Sequence, residues 1–81
     1  MGHYANFKAY EESLNGTKTI YFPWNAYKVI LMNDSSSKDL VFEISGERGT
    51  LRPTETFAAS VRLKGITLVA NEVSYRLWIY G

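Results

Sequence analysis

The sequence has no cysteine and a single histidine, His3. Disulfides are thereby excluded, and with them thiolate and histidine-rich metal sites. Charge of either sign is not in excess: nine Lys and Arg stand against eight Asp and Glu. A formal charge of +1 gives no electrostatic case for a nucleic-acid partner, which calls for a clustered basic face. No apolar run is long enough to span a bilayer. The opening MGHYANFK lacks the apolar core of a signal peptide. Asn6 stands where a myristoylation signal needs Ser or Thr. The chain reads as one made in the cytoplasm, with no membrane partner.

Catalytic groupings are missing too. Ser35, Ser36 and Ser37 have no activating base nearby in sequence, and no Gly-x-Ser-x-Gly elbow occurs. Gly46-Glu47-Arg48-Gly49 lacks the Gly-Lys-Ser/Thr ending of a phosphate loop. Asp34, Asp39 and Glu43, like the adjacent Glu11 and Glu12, lack calcium-loop spacing. They read as solvated charges. The expectation is a non-enzymatic protein with no catalytic residue, no metal and no cofactor.

With 81 residues, residues 1–81 form one domain. Below roughly 70–80 residues a core alone rarely supplies more than about 3–5 kcal/mol. Oligomerisation is the staple this composition leaves open.

What the sequence does have is aromatic residues, at 15% of the chain: six Tyr, four Phe and two Trp. They point to sheets or an interface rather than a helical bundle. The chain is best read outward from LRPTETFAASVRL, residues 51–63. Leu51-Arg52-Pro53-Thr54 reads as a tight turn. Pro53 presets φ at the second turn position, and the β-branched Thr54 disfavours a turn needing positive φ there. A strand then starts at Glu55 and Thr56. Phe57, Ala59, Val61 and Leu63 fall on one face of it; Ala58, Ser60, Arg62 and Lys64 fall on the other.

Tyr4 to Leu14 fits two patterns. Tyr4, Phe7 and Leu14 suit one helical face capped by Asn15-Gly16. Ala5 to Tyr10 also suits a strand leading into an Asn-Gly hairpin, which is the preferred reading. Pro23 ends the strand 17–22, and Trp24-Asn25 turns the chain. Ala26 to Met32 is apolar at almost every position, as in a strand covered on both faces. Asn33 to Ser37 is a loop of side chains that bond their own backbone. Asp39 to Ser45 is a strand with Leu40, Phe42 and Ile44 inward. Gly46 to Gly49 is a connection with two permissive glycines. Gly65 separates the strand 66–70, and Asn71-Glu72 turns into a last strand, Val73 to Tyr80.

Short strands with turns between them predict an all-β fold: a small antiparallel β-sandwich of about seven to eight short strands. Its expected core is Val29, Leu31, Leu40, Phe42, Ile44, Phe57, Val61, Leu63, Ile66, Leu68, Leu77 and Ile79. Val41, Val69, Trp78 and Tyr80, with Ile30 and Met32, then point away from that core. Arg76 accompanies them, and Trp, Tyr and Arg are enriched at interface hot spots. Val41, Val69, Arg76, Trp78 and Tyr80 are the candidate partner-binding residues, for a homo-oligomer or a larger particle. The competing reading has the first hairpin, Ala5 to Phe22, covering this face. Tyr21, Trp24 and Tyr27 are an alternative site, able to stack on sugar rings, as in a carbohydrate-binding module that recognises a cell-surface glycan.

Several segments carry a family resemblance: Tyr21-Phe22-Pro23, Asn33-Asp34-Ser35, Asp39 to Ile44, Leu51 to Glu55, and Tyr75-Arg76. Together they resemble small structural proteins of tailed bacteriophages. Thr54 departs from the pattern, which favours Gly there. The resemblance implies a virion component, head or tail, with an immunoglobulin-like β-sandwich and no catalysis. It also implies other virion proteins as partners and a protein made in the host cytoplasm.

Overall fold

The computed structural model describes residues 5–81, and His3 and Tyr4 lie outside them. Six antiparallel strands make the fold: β1 (Phe7–Ala26), β2 (Lys28–Asn33), β3 (Leu40–Ile44), β4 (Glu47–Leu51), β5 (Thr56–Ala59) and β6 (Leu63–Tyr80). The expected all-β antiparallel fold is present. Four strands are short, and β1 and β6 run 20 and 18 residues.

The two long strands pair with each other along almost their whole length and bend at the same level. Leu14 faces Val73 and Gly16 faces Ala70, so Asn15 alone stands opposite Asn71 and Glu72. This is a β-bulge, with one residue opposed by two. Gly16 (φ 112°) and Glu72 (φ 56°) supply the positive φ values that turn the strands there. The bend divides the curled sheet into two four-stranded halves. One runs β4-β3-β6-β1 through residues 63–70 of β6; the other runs β5-β2-β6-β1 through residues 73–80. Counted at their bends, the six strands give eight sheet segments.

Positive φ does fall at both expected turns, at Gly16 and Glu72, but neither reverses the chain. Asn15-Gly16 does not close a hairpin, and Asn71-Glu72 does not separate two strands. Each pair kinks a continuous strand from one half into the other. Pro23 likewise does not end its strand. Between Tyr21↔Gly65 and Ala26↔Leu63 four residues of β1 face Lys64 alone. Pro23 sits in this irregular stretch, where no ladder donor is needed. Gly65 lies within β6. A Cβ there would stand 2.7 Å from the Ile20 carbonyl oxygen, so it permits close pairing and does not break the strand.

The Pro53 turn is set one residue later than expected. The Glu55 N–H donates to the Arg52 carbonyl at 3.0 Å, and the Glu55 carboxylate accepts from the Arg52 N–H at 2.7 Å. Thr54 has φ 68°, the value a type II turn needs at its third residue. The β-branched side chain did not prevent it. The strand beyond is short: β5 ends at Ala59, and Val61 is 39% exposed. Most of the expected connection, Gly46 to Gly49, belongs instead to β4 (Glu47–Leu51). Only Ser45-Gly46 turns, with φ values of 51° and 81°, as a two-residue type I′ hairpin requires.

The core lies between the two halves and draws on both in one cluster. Val29, Leu31, Leu40, Phe42, Leu63, Ile66, Leu68, Leu77 and Ile79 are buried as expected. Leu14, Ile20, Phe22, Ala26, Leu51, Val73 and Tyr75 join them. Ile44 and Phe57 are half-buried at one end, where the halves part.

Candidate functional site: an apolar cavity at the open end of the sandwich

Phe42 on β3 and Phe57 on β5 come from opposite halves and meet with ring centroids 4.8 Å apart. The contact depends on Gly49, which pairs with Phe42 across the β3–β4 ladder. A Cβ at Gly49 would lie 2.6 Å from Cζ of Phe42. The ring thus rests on bare β4 backbone, a use of glycine that a strand interior otherwise discourages. Beyond the ring pair no described residue fills the space between the β3–β4 hairpin and the 60–62 connection. A cavity of about 460 Å³ opens there.

Its apolar wall is Phe42, Ile44, Phe57, Val61 and Leu63; Ser45, Glu47, Arg48 and Arg62 border it. Arg48 stands 3.6 Å from Glu43 in an exposed pair, a contact of little energetic weight. Arg62 has no ion-pair partner among the described residues. The arrangement is an apolar recess edged by two cations, Arg48 and Arg62, and one carboxylate, Glu47. Among the described residues no three of His, Cys, Asp and Glu gather as a metal site would need.

Sequence periodicity assigned these apolar residues to a closed core. It reports which face a side chain takes, not whether the opposite wall reaches it. The one available signal was Gly49, since a glycine inside a strand marks a close approach.

The residues expected to bind partners do not share one face. Val41 pairs with Val69 on the outside of the first half. Arg76, Trp78 and Tyr80 lie on the outside of the second. The bend at Asn71-Glu72 separates the two groups. The second group does form a patch. Cross-strand rows there read Phe7–Tyr80–Lys28, Ala9–Trp78–Ile30–Ala58 and Glu11–Arg76–Met32–Thr56. Phe7 is 56% exposed and packs edge-on to Trp78 at 6.3 Å. Arg76 lies 5.8 Å from the Trp78 ring and grips Asp34 through Nε (2.8 Å) and Nη2 (3.0 Å). Among the described residues, β1 (Phe7–Ala26) does not cover this patch, because it joins the same sheet edge to edge with β6.

Tyr21, Trp24 and Tyr27 diverge as well. Tyr21 is 81% exposed and Tyr27 47%. Trp24 is half-buried, packed on the core cluster, and its ring lies where a Cβ at Gly81 would stand 2.4 Å from it. It plugs the end of the sandwich.

A second polar cluster closes the β1 edge. The Tyr75 hydroxyl and the Lys18 ammonium both donate to Oε1 of Glu12. Lys18 and Tyr75 hold the Glu12 carboxyl below its usual range. Burial, and then Glu12 itself, push the Tyr75 phenol well up.

No protein-family model matches the sequence, and no curated protein matches it. Solved structures do resemble the fold. The cupin domain of an XRE-family transcriptional regulator from Enterobacter cloacae superposes with a TM-score of 0.68 at 19% identity. The match covers 93% of this chain and 81% of that one. A protein from Neisseria meningitidis gives 0.66 at 13% identity, over 100% of this chain and 89% of that one. A designed double-stranded β-helix gives 0.55 at 18% identity, covering 90% and 96%. The chain therefore has the cupin fold, a double-stranded β-helix; at these identities the likeness concerns the fold alone.

This finding overturns the resemblance to phage virion proteins, and with it the virion location and the structural role in a phage particle. Several of the similar structures are cupin-domain proteins and none is described as a carbohydrate-binding module, so the carbohydrate-binding reading falls as well. The borrowed segments, an Asn-Asp-Ser strand end and a Pro-centred turn, are general devices of antiparallel sandwiches. They record strand and turn chemistry rather than descent.

Proposed function

We propose that this chain is a small-molecule-binding domain that holds an apolar ligand with a terminal anionic group, without chemical transformation. The observation that carries the reading is the cavity of about 460 Å³ walled by Phe42, Ile44, Phe57, Val61 and Leu63. Its size falls in the range of roughly 300–1,000 Å³ typical of ligand sites, and the mouths of β-barrels are a common location for them. The apolar wall favours an aliphatic or aromatic body. Arg62, without an ion-pair partner on the rim, and the weakly engaged Arg48 favour a carboxylate or similar head. No cavity hydroxyl is hydrogen-bonded to a carboxylate among the described residues, so nothing at the site supports an activated nucleophile.

Fluorescence titration with an anilinonaphthalene sulfonate tests this. Wild type should bind it saturably at one site. Ile44→Trp should fill the recess and abolish binding, and Arg62→Glu should weaken it by about tenfold. Unchanged binding by Ile44→Trp, with the fold intact by circular dichroism, would refute the reading.

A further inference from the structure

The outer face of the second half carries two opposite charges placed symmetrically about one aromatic residue. Lys28 flanks Tyr80 on the β2 side, and Glu11 flanks Arg76 on the β1 side. β6 runs between those two strands, and Trp78 lies one row from each charge. Trp78 is therefore the midpoint of the line joining Lys28 to Glu11. A second copy turned about a two-fold axis through Trp78, perpendicular to that line, sets each Lys28 over the partner copy's Glu11. Each Trp78 then meets its own symmetry mate. Such self-complementarity is what an isologous interface requires.

The rest of the face suits the same occupant. Ala9, Ala58, Ile30 and Met32 fill the rows around Trp78 with small and medium apolar side chains. Phe7 adds an exposed ring beside Lys28 and Tyr80. Arg76 is already held by Asp34, so it presents a fixed, paired guanidinium rather than a free charge. Glu11 has no ion-pair partner among the described residues, and Lys28 only overhangs the Tyr80 ring at 5.8 Å. Glu11 lies across from Arg76 and acts on it electrostatically without forming an ion pair; it and Lys28 are the two charges that a second copy would pair.

We infer that two copies of this chain associate face to face through this surface, centred on Trp78 and registered by reciprocal Lys28–Glu11 pairs. Four strands at the usual spacing and three to four rows span about 20 by 20 Å. That is smaller than the roughly 800 Å² per partner of a standard stable interface. The dimer is accordingly a weak one that forms and dissociates with concentration. It leaves the cavity free, since none of the cavity residues lies on this face.

Sedimentation equilibrium on the full chain over a wide concentration range tests the inference. Wild type should pass from monomer to dimer. Glu11→Lys and Lys28→Glu, both conservative of fold at a sheet surface, should each weaken the dimer by about tenfold or more. The double variant Glu11→Lys/Lys28→Glu should recover it. Near-ultraviolet circular dichroism confirms that each variant is folded. A wild type that stays monomeric throughout would overturn the proposal. So would a dimer indifferent to either reversal, or one that the double variant fails to restore.

Discussion

Asn33 ends β2 with its side chain turned into the protein, and it is the one buried polar residue among those described, 1% exposed. The two hydrogens of its Nδ2 are shared among the carbonyls of Lys38 (2.8 Å), Leu51 (3.0 Å) and Arg52 (3.1 Å). Its Oδ1 accepts from the Ser35 N–H at 2.9 Å. One amide thus ties the β2–β3 loop to the end of β4. Asn33→Ala leaves buried carbonyls without a donor and should cost about 2–3 kcal/mol in a denaturant melt. Asn33→Asp should cost more at neutral pH, because it sets a carboxylate against those oxygens. The local half of this role was legible: Asn33 and Ser35 were expected to bond nearby backbone, and they do. The distant half was not, because Leu51 and Arg52 are brought there by sheet pairing rather than by sequence spacing. Gly49 makes a comparable point at the cavity. Gly49→Ala must push the Phe42 ring off β4, toward Phe57, and should lower stability by about 1–3 kcal/mol. An unchanged midpoint would mean the ring does not rest there.

At the scale of the element, the bends in β1 and β6 are what make two sheets out of six strands. Glu72 holds a positive φ of 56°, a conformation that costs a side-chain-bearing residue roughly 1–2 kcal/mol. Its ion pair with Lys38 is long, at 3.5 Å, and exposed, so it offsets little. Glu72→Gly should therefore stabilise the protein by up to about 1 kcal/mol. Gly16→Ala should destabilise it, since φ 112° suits only glycine well. Opposite signs for these two variants in one thermal series are the expected result. Periodicity located the strands, because inward and outward side chains alternate wherever one face is buried. It did not separate a turn from a kink. Asn-Gly tolerates positive φ in a hairpin and in a bulge alike, and the choice is made by the partner strand. The same ambiguity cut β6 in two at Asn71-Glu72. It also joined Val41 and Val69 to a face that the bend actually divides.

At the scale of the whole molecule, the β1 edge is closed by charge and the opposite end is left open. The cluster of Glu12, Lys18 and Tyr75 makes the edge sensitive to pH. The hydrogen bond from Lys18, then that from Tyr75, depress the Glu12 carboxyl. A group so depressed stabilises the fold above its unfolded pKa and loses that contribution as pH falls through the folded one. Burial and Glu12 raise the Tyr75 phenol. Its contribution is complete below the unfolded value of about 10 and is lost as pH rises beyond it. Glu12→Gln should flatten the acid limb of the stability profile. Parallel acid limbs in wild type and variant would show that the cluster is thermodynamically silent.

The open end carries the functional reading, and its occupancy can be mapped directly. Backbone amide shifts of the isotope-labelled protein should be followed as decanoate is added. The expected result is saturable movement confined to the hairpin residues Ile44 to Gly49, to Phe57, and to Val61 to Leu63. No saturable movement, or movement centred instead on the Trp78 face, would contradict the assignment of the cavity as a ligand site.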